Sequence, residues 1–353
     1  MNTGHTFRPA TRSAGGRTSG ATPALPAPPL VSIAVPVYNG ERFLGRALDS
    51  ILAQTLKDIE VLIVDNGSTD GTRKVAADYV RRDERVRYVR NPVNVGPARN
   101  FSLAFTLARG TYFKVAPHDD IIAPTYLERC VAVLEAEPDV VLVNSVICAI
   151  DADDRPLRVL APEYDASGPR PADRFRELLK NSQCYDYFGV MRKSAVDRLP
   201  GPFLAAYGHA DGILLSRLAL QGRFITIPEP LFLNRDHDGR SGKSYRTYKE
   251  YTYFLDPALR GSIVFPRWRM TWEFLRSLWL YPLPLRDRMA AHLALARWIA
   301  RHIPSLAANV AVAGADAARK ILPGARRAGN GEVATPTEDA GGFPRTPTQG
   351  AKV

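Results

Sequence analysis

The sequence predicts an α/β fold: a doubly wound, mostly parallel sheet with a helical carboxyl-terminal appendage. Three observations lead there. Short β-branched runs alternate with segments of helical periodicity from Val31 to Ile150. The first run, Val31–Val37, is apolar but for Ser32 instead of alternating, as befits a strand covered on both faces. Several runs break at their carboxyl ends into Asn, Asp and Ser, where open α/β sheets bind ligands.

The elements follow in order. After the first strand, Phe43, Leu44, Ala47, Leu48, Ile51 and Leu52 recur at helical spacing, so a helix is expected over 41–54. Ile59–Val64 is the second strand, and Ser68-Thr-Asp-Gly-Thr72 offers capping side chains to a helix reaching about Arg82. Val86–Arg90 is a third strand. Gly96-Pro97 opens a helix with proline in its first turn, and Gly110 ends it before a strand at Thr111–Val115. A helix from Pro124 to about Glu137 precedes a long strand, Val140–Ile150, and Asp151–Pro156 reads as a turn. Beyond it the pattern predicts a helix over 172–180, a strand over 187–191, a helix over 210–221 closed by Gly222, and two strands, 223–227 and 231–234. From Thr247 the chain reads as helical, aromatic and basic, with a last helix over 285–303.

Four regions result: a disordered leader, 1–28; an α/β domain, 29–240, divided near 150 into a nucleotide half and an acceptor half; a helical extension, 241–322; and a disordered tail, 323–353. The leader lacks Asp and Glu but also any apolar core long enough for a secretory signal. No apolar stretch reaches the roughly eighteen residues a membrane span needs. The three cysteines, Cys130, Cys148 and Cys184, show no metal-type spacing and read as buried thiols in a reducing compartment. Of the net charge of +11, nearly all arises in 240–330. Motifs for nucleic acid are absent, so phospholipid or a phosphate-bearing, lipid-linked acceptor is the expected basic-region partner.

Four motifs carry the chemistry. Val35-Pro-Val-Tyr-Asn39, Val64-Asp-Asn-Gly-Ser-Thr-Asp-Gly71, Asn94-Val-Gly-Pro-Ala-Arg-Asn100 and His118-Asp-Asp120, in that order and spacing, resemble the family 2 glycosyltransferases of GT-A fold over residues 30–238. The resemblance implies an inverting enzyme that moves a sugar from a nucleotide-diphosphate donor to an acceptor hydroxyl of a glycan or lipid-linked substrate. Its setting would be cell-surface polysaccharide or glycolipid synthesis, in the cytoplasm. Apart from the resemblance, the Trp- and Arg-rich helices after Thr247 suit either packing on their own domain or peripheral contact with the inner membrane face.

By that resemblance Pro36, Tyr38, Asn39, Glu41, Asp65 and Asn66 form the nucleotide side of the site. The bland alternative for Asp65 is a turn that caps a helix. Adjacent carboxylates repel unless a cation lies between them, so Asp119, with Asp120 beside it, suits Mn2+ or Mg2+ bridging a diphosphate. The family's first acid is replaced by Pro117 here, and His118 is the residue that could take over its contact. Arg99, at a helix amino end, suits an anion. Asp211 matches the second of the family's acidic pair, Ala210 the first, which makes Asp211 the expected base. His237, in Arg235-Asp-His-Asp-Gly-Arg-Ser241, is the expected third metal ligand by the same resemblance. Two other readings stand beside this one: a catalytically silent, donor-binding subunit of a glycan assembly complex, motivated by Pro117 and Ala210, and a nucleotidyltransferase, whose Gly-rich loop after strand one is missing.

Overall fold

The computed structural model describes residues 27–180, 183–240, 245 and 247–321. The expected tail, and the expected leader apart from 27 and 28, fall outside them. Strand β1 is Val31–Val37, α1 Leu44–Leu52, β2 Ile59–Asp65, α2 Thr72–Arg82, β3 Val86–Arg90, α3 Pro97–Leu107 and β4 Tyr112–Val115. These lie close to their sequence-based bounds. Next come β5 (Ile121–Ile122), α4 (Tyr126–Ala136), β6 (Val140–Ile150) and β7 (Pro156–Leu160). Then follow α5 (Pro171–Leu178), β8 (Val190–Arg192), α6 (Lys193–Asp197), α7 (Ala210–Gln221) and β9 (Arg223–Arg235). The extension is α8 (Tyr248–Leu255), α9 (Pro266–Leu280) and α10 (Leu285–Ile321).

The sheet runs β3-β2-β1-β4-β8-β6-β9-β5, with β7 paired to β6. β1 pairs in parallel with β2 and β4, β2 with β3, and β6 with β9. β8 runs antiparallel between β4 and β6, and β5 and β7 are antiparallel additions. The carboxyl ends of β1, β2, β4, β6 and β9 therefore open on one edge. Alternate residues feed two cores, as a period of two requires. Ile33, Val35, Val61 and Ile63 face the layer of α1, α2 and α4. Ala34, Leu62 and Val64 face α3, α5, α7 and the extension.

Four differences from the sequence reading have physical causes. The two strands expected at 223–234 are one, because β6 pairs along its whole length and absorbs Pro228 and Pro230 with register shifts at Val146. The strand expected over 187–191 gives its first half to a 3-10 turn, Tyr185–Phe188, closed by Gly189. β7 is a half-exposed hairpin partner of β6, and its apolar residues are too few and too broken by Pro156 and Arg158 to stand out as a strand. α10 runs past Pro304 because Leu306, Asn309 and Ala313 still pack inward beyond it. The carbonyl that Pro304 leaves without a donor belongs to exposed Ala300.

The extension joins the α/β core: Leu255, Met270, Phe274, Leu278, Ala291 and Leu295 complete the cluster under α7. A buried ion pair, Arg217 of α7 with Glu273 of α9, crosses that junction, with Ser277 accepting from Arg217 Nε at 3.0 Å. Deleting one partner leaves a buried charge, so Glu273→Ala should cost about 3–5 kcal/mol in chemical denaturation, and replacing both residues by apolar ones of similar volume should recover most of it. An equal loss in both variants would show that packing, not charge, dominates there.

Candidate active site

The site is built from loops at that common edge. The loop after β1 is stapled to the loop after β2. Asn39, in the left-handed region at φ 53, donates its N–H to Ser68 Oγ (2.9 Å) and accepts from Thr69 N–H (2.9 Å). Gly40 N–H donates to Thr72 Oγ1 (2.8 Å), and Glu41 accepts from Gly71 N–H (2.9 Å). Pro36 is buried within β1, opposite Val64, while Tyr38 stands 44% exposed at the rim.

Asp65 differs from its expected place. Its carboxylate accepts from Ser68 N–H (2.8 Å) and Tyr88 O–H (2.6 Å), lies 3.4 Å from Arg90 Nε, and has no exposed surface. It locks the turn beneath the Tyr38–Asn39 loop instead of opening onto it. Burial of Tyr88, then its hydrogen bond to Asp65 and that carboxylate's charge, push the Tyr88 hydroxyl upward. Asn66, also buried, binds Asn94 Oδ1 (3.0 Å) and accepts from Val95 N–H (2.9 Å), so it orders the approach to α3. Glu41 holds the start of α2. These residues shape the loops, which the sequence could not distinguish from touching a ligand.

Arg99 stands on the first turn of α3 with its guanidinium 64% exposed and 3.8 Å from Asp256, just after α8. The extension reaches this point closely. A Cβ on Gly96 (φ 86) would lie 2.7 Å from the Leu255 carbonyl oxygen, so only glycine serves here.

The loop after β4 supplies the acids. Asp119 Oδ2 meets His237 Nε2 at 2.9 Å, 118 residues away in sequence. His118 packs against Gly40, which ties this loop to the one after β1. Burial would raise the Asp119 carboxyl, but the neighbouring His118 and His237 more than reverse it and hold it well below the usual range. Asp120 goes the other way, pushed up by its burial and by the charge of Asp119. It also turns inward, contrary to a direct ligand's geometry, accepting from Arg235 N–H (2.8 Å) and from Asn234 Nδ2 (3.1 Å). The 2.9 Å between Asp119 and His237 is about the spacing of neighbouring ligands around an octahedral cation with bonds of ~2.1 Å. A carboxylate with an imidazole also suits Mn2+ chemically, so this pair fits a divalent cation.

Arg235 organises that loop, and its role was not read from the sequence. Fully buried over the Phe43 ring, it donates to Asp119 O (2.7 Å) and Asp151 O (2.9 Å) and pairs with Asp154. Arg240 was likewise missed. It donates to the Tyr185 hydroxyl oxygen (3.2 Å); burial opposes its charge, but Tyr185, Asp120 and Asp119 more than offset that. The only sequence signal was a run of charges directly after an apolar strand.

Asp211 occupies the first turn of α7 and keeps different company. It accepts from Gly212 N–H (2.9 Å), and its carboxylate, Cys184 Sγ and a His209 ring nitrogen lie within 4.8 Å of one another. His209 is left-handed (φ 67) and folds its ring onto Gly212, where a Cβ would lie 2.1 Å from Nε2. Burial lowers the His209 imidazole, and burial with the nearby Asp211 raises the Cys184 thiol. Tyr187, Tyr248 and Tyr251 feel the charge of Asp211, so α8 walls this pocket. The Cys184–Phe188 turn lies between the two groups of residues: Tyr185 meets Arg240 beside Asp119, and Tyr187 faces Asp211.

Residues 32–199 match the model of Glycosyl transferase family 2. Among curated relatives, an uncharacterized glycosyltransferase, EpsJ of Bacillus subtilis, is 40% identical over 101 residues, 29% of this chain and 29% of that protein. An uncharacterized glycosyltransferase of Nostoc sp. is 28% identical over 61% of this chain and 67% of its own length. The chain thus spans under a third of EpsJ. Among solved structures, Staphylococcus aureus TarS with UDP superposes with a TM-score of 0.55 at 16% identity, covering 78% of this chain and 72% of that one. A mannosyltransferase, PcManGT of Pyrobaculum calidifontis, with GDP-Man and Mn2+, gives 0.50 at 21%, covering 85% and 80%. At such identities the likeness establishes the GT-A fold. Among the described residues no helix is long and apolar enough to cross a membrane.

Proposed function

The chain carries a family 2 glycosyl transferase domain at residues 32–199, and from that premise we propose that the protein transfers a sugar, with inversion, from a nucleotide-diphosphate donor to an acceptor hydroxyl. The observation that carries the reading is the meeting of Asp119 and His237 at 2.9 Å on the loops after β4 and β9. The nucleotide lies on the Tyr38–Asn39 loop, where the exposed Tyr38 ring offers a stacking face and Asp65, Asn66, Pro36 and Glu41 hold the loop's shape. Asp119 and His237 hold Mn2+ or Mg2+, which when bound neutralises diphosphate charge; Asp120 fixes the turn behind them. His118 and Arg240 add positive or polar character beside the leaving group, and Arg99 meets the anion from the mouth of α3. Asp211 takes the acceptor's proton. The UDP of TarS and the GDP-Man and Mn2+ of PcManGT support this choice of donor class and cation.

The acceptor is a glycan or lipid-linked hydroxyl in cell-surface polysaccharide or glycolipid synthesis, handled on the cytoplasmic side. Calorimetry with UDP and GDP, each with and without Mn2+, tests the reading: cation-dependent binding of one nucleotide is expected, and binding of neither would sink it. Arg235 acts by positioning. Arg235→Lys keeps a charge but loses the planar fork that spans Asp119, Asp151 and Asp154. Manganese-dependent nucleotide affinity should fall about 10–100-fold, as for groups that orient metal ligands, with the cation-independent part unchanged.

A further inference from the structure

The last two helices expose a continuous apolar face edged by arginines. On α9 the core side is Met270, Phe274 and Leu278, whereas Trp268, Trp272 and Trp279 project from the opposite side, 46%, 57% and 64% exposed. On α10, Leu285, Met289, Leu293, Ile303 and Val310 are 48–71% exposed. At the helical period these five fall within an arc of about 100°. The two stripes adjoin. The Trp279 ring meets His292 edge-on at 5.4 Å, and Trp268 Nε1 donates to Leu306 O at 3.1 Å, which sets the helices antiparallel and side by side. From Leu285 to Val310 the face is about 37 Å long, far more than a scattered surface residue or two.

Its charge is one-sided. Arg286, Arg297 and Arg301 are exposed beside the α10 stripe and make no ion pair among the described residues. The acids of both helices are turned away: Glu273 is buried against Arg217, Asp287 pairs with Arg170, and Asp316 pairs with Lys249. Residues 240–330 hold 16 Lys and Arg against 5 Asp and Glu. A second copy of the chain would bring arginines against arginines with no exposed acid between them. Tryptophans at the edge of an apolar stripe, with arginines reaching past it, match a bilayer's headgroup boundary instead.

We propose that this face of α9 and α10 lies flat on an anionic phospholipid surface, its tryptophans and aliphatic groups entering the headgroup boundary and its arginines meeting lipid phosphates. The docking stands on this surface alone and is independent of the transfer reaction. It places an acceptor-binding half, through α7 and α9, next to a membrane.

The full chain is sedimented with vesicles of phosphatidylcholine alone and of phosphatidylcholine with phosphatidylglycerol. Binding to the anionic vesicles with a blue shift of tryptophan emission is expected, weakening steeply with salt. The triple variant Arg286→Gln, Arg297→Gln, Arg301→Gln should lose about a hundredfold in partitioning, at about fivefold per charge. Trp272→Ser with Met289→Ser should lose at least tenfold, and Trp272→Phe should keep most of the binding. All these side chains are exposed, and unchanged melting curves will confirm that the variants fold. Absence of sedimentation with anionic vesicles, or equal sedimentation of wild type and variants, would overturn the proposal. So would light scattering that shows a dimer in the wild type and a monomer in Trp272→Ser with Met289→Ser, because a second copy would then be the occupant.

Discussion

Asp211→Asn should lower turnover by about 10²–10⁴-fold, the contribution of a positioned general base, while leaving manganese-dependent nucleotide binding intact. The separation follows from geometry. Asp211 sits with Cys184 and His209 under α8, whereas the cation pair is Asp119 with His237 on the loops after β4 and β9. Asparagine keeps the carbonyl that accepts from Gly212 N–H, so the first turn of α7 is retained, but it cannot take a proton. The Cys184 thiol beside it gives a control. Cys184→Ala removes a neighbour of the carboxylate but not the group that takes the proton, so it should cost only a modest part of the rate. If Asp211→Asn loses binding in proportion to turnover, the residue orders the site and another group is the base. If it loses neither, the silent-subunit reading returns. The three donors within 4.8 Å could also hold an ion, and a thiolate in the set would favour zinc. Activity that survives zinc chelators but needs Mn2+ would keep Asp211 as a base.

The elements that frame this site were legible because each is encoded locally. Val31–Val37 and Val140–Ile150 agree with the sequence reading to the residue, since a buried strand is apolar at nearly every position, with Ser32, Asn144 and Ser145 the exceptions. Gly96-Pro97 marked the start of α3 through proline's fixed φ. Legibility failed where long-range pairing decides. β7 exists because β6 offers it an edge, and α10 passes Pro304 because Leu306, Asn309 and Ala313 beyond it are buried and Leu306 O accepts from Trp268 of α9. Residue roles divided in the same way. That an acid would follow β4 could be read from the chain; that Asp119 faces His237 while Asp120 turns to Asn234 depends on the register of β5 with β9. Asp65 shows the limit most clearly. A carboxylate on a strand end has the same local sequence whether it opens to a ligand or closes on Tyr88, and only the neighbouring strand distinguishes them.

Asp119→Ala should abolish the manganese-dependent part of nucleotide binding, a loss of at least a hundredfold, since removing a ligand exceeds the 10–100-fold cost of removing its supporting partner. His237→Ala should give a smaller drop, because one donor of the pair and the Arg235-braced turn remain. The fold should survive. Asp119 adds little to packing, and burial, with the Asp119 charge added to it, raises the Asp120 carboxyl to about 7. From about pH 4, the unfolded carboxylate range, up to that value, folded Asp120 keeps a proton that the unfolded chain has released. The unfolded state thus binds fewer protons, and stability falls as pH rises through this window. Removing the Asp119 charge weakens that fall, so without metal the variant's melting temperature should decline less than the wild type's between pH 5 and pH 8. A variant that melts far lower at every pH would place Asp119 among the residues that hold the loop. Unaltered manganese-dependent binding would remove it from the cation site altogether, and with it the pairing across β4 and β9 on which the donor geometry rests.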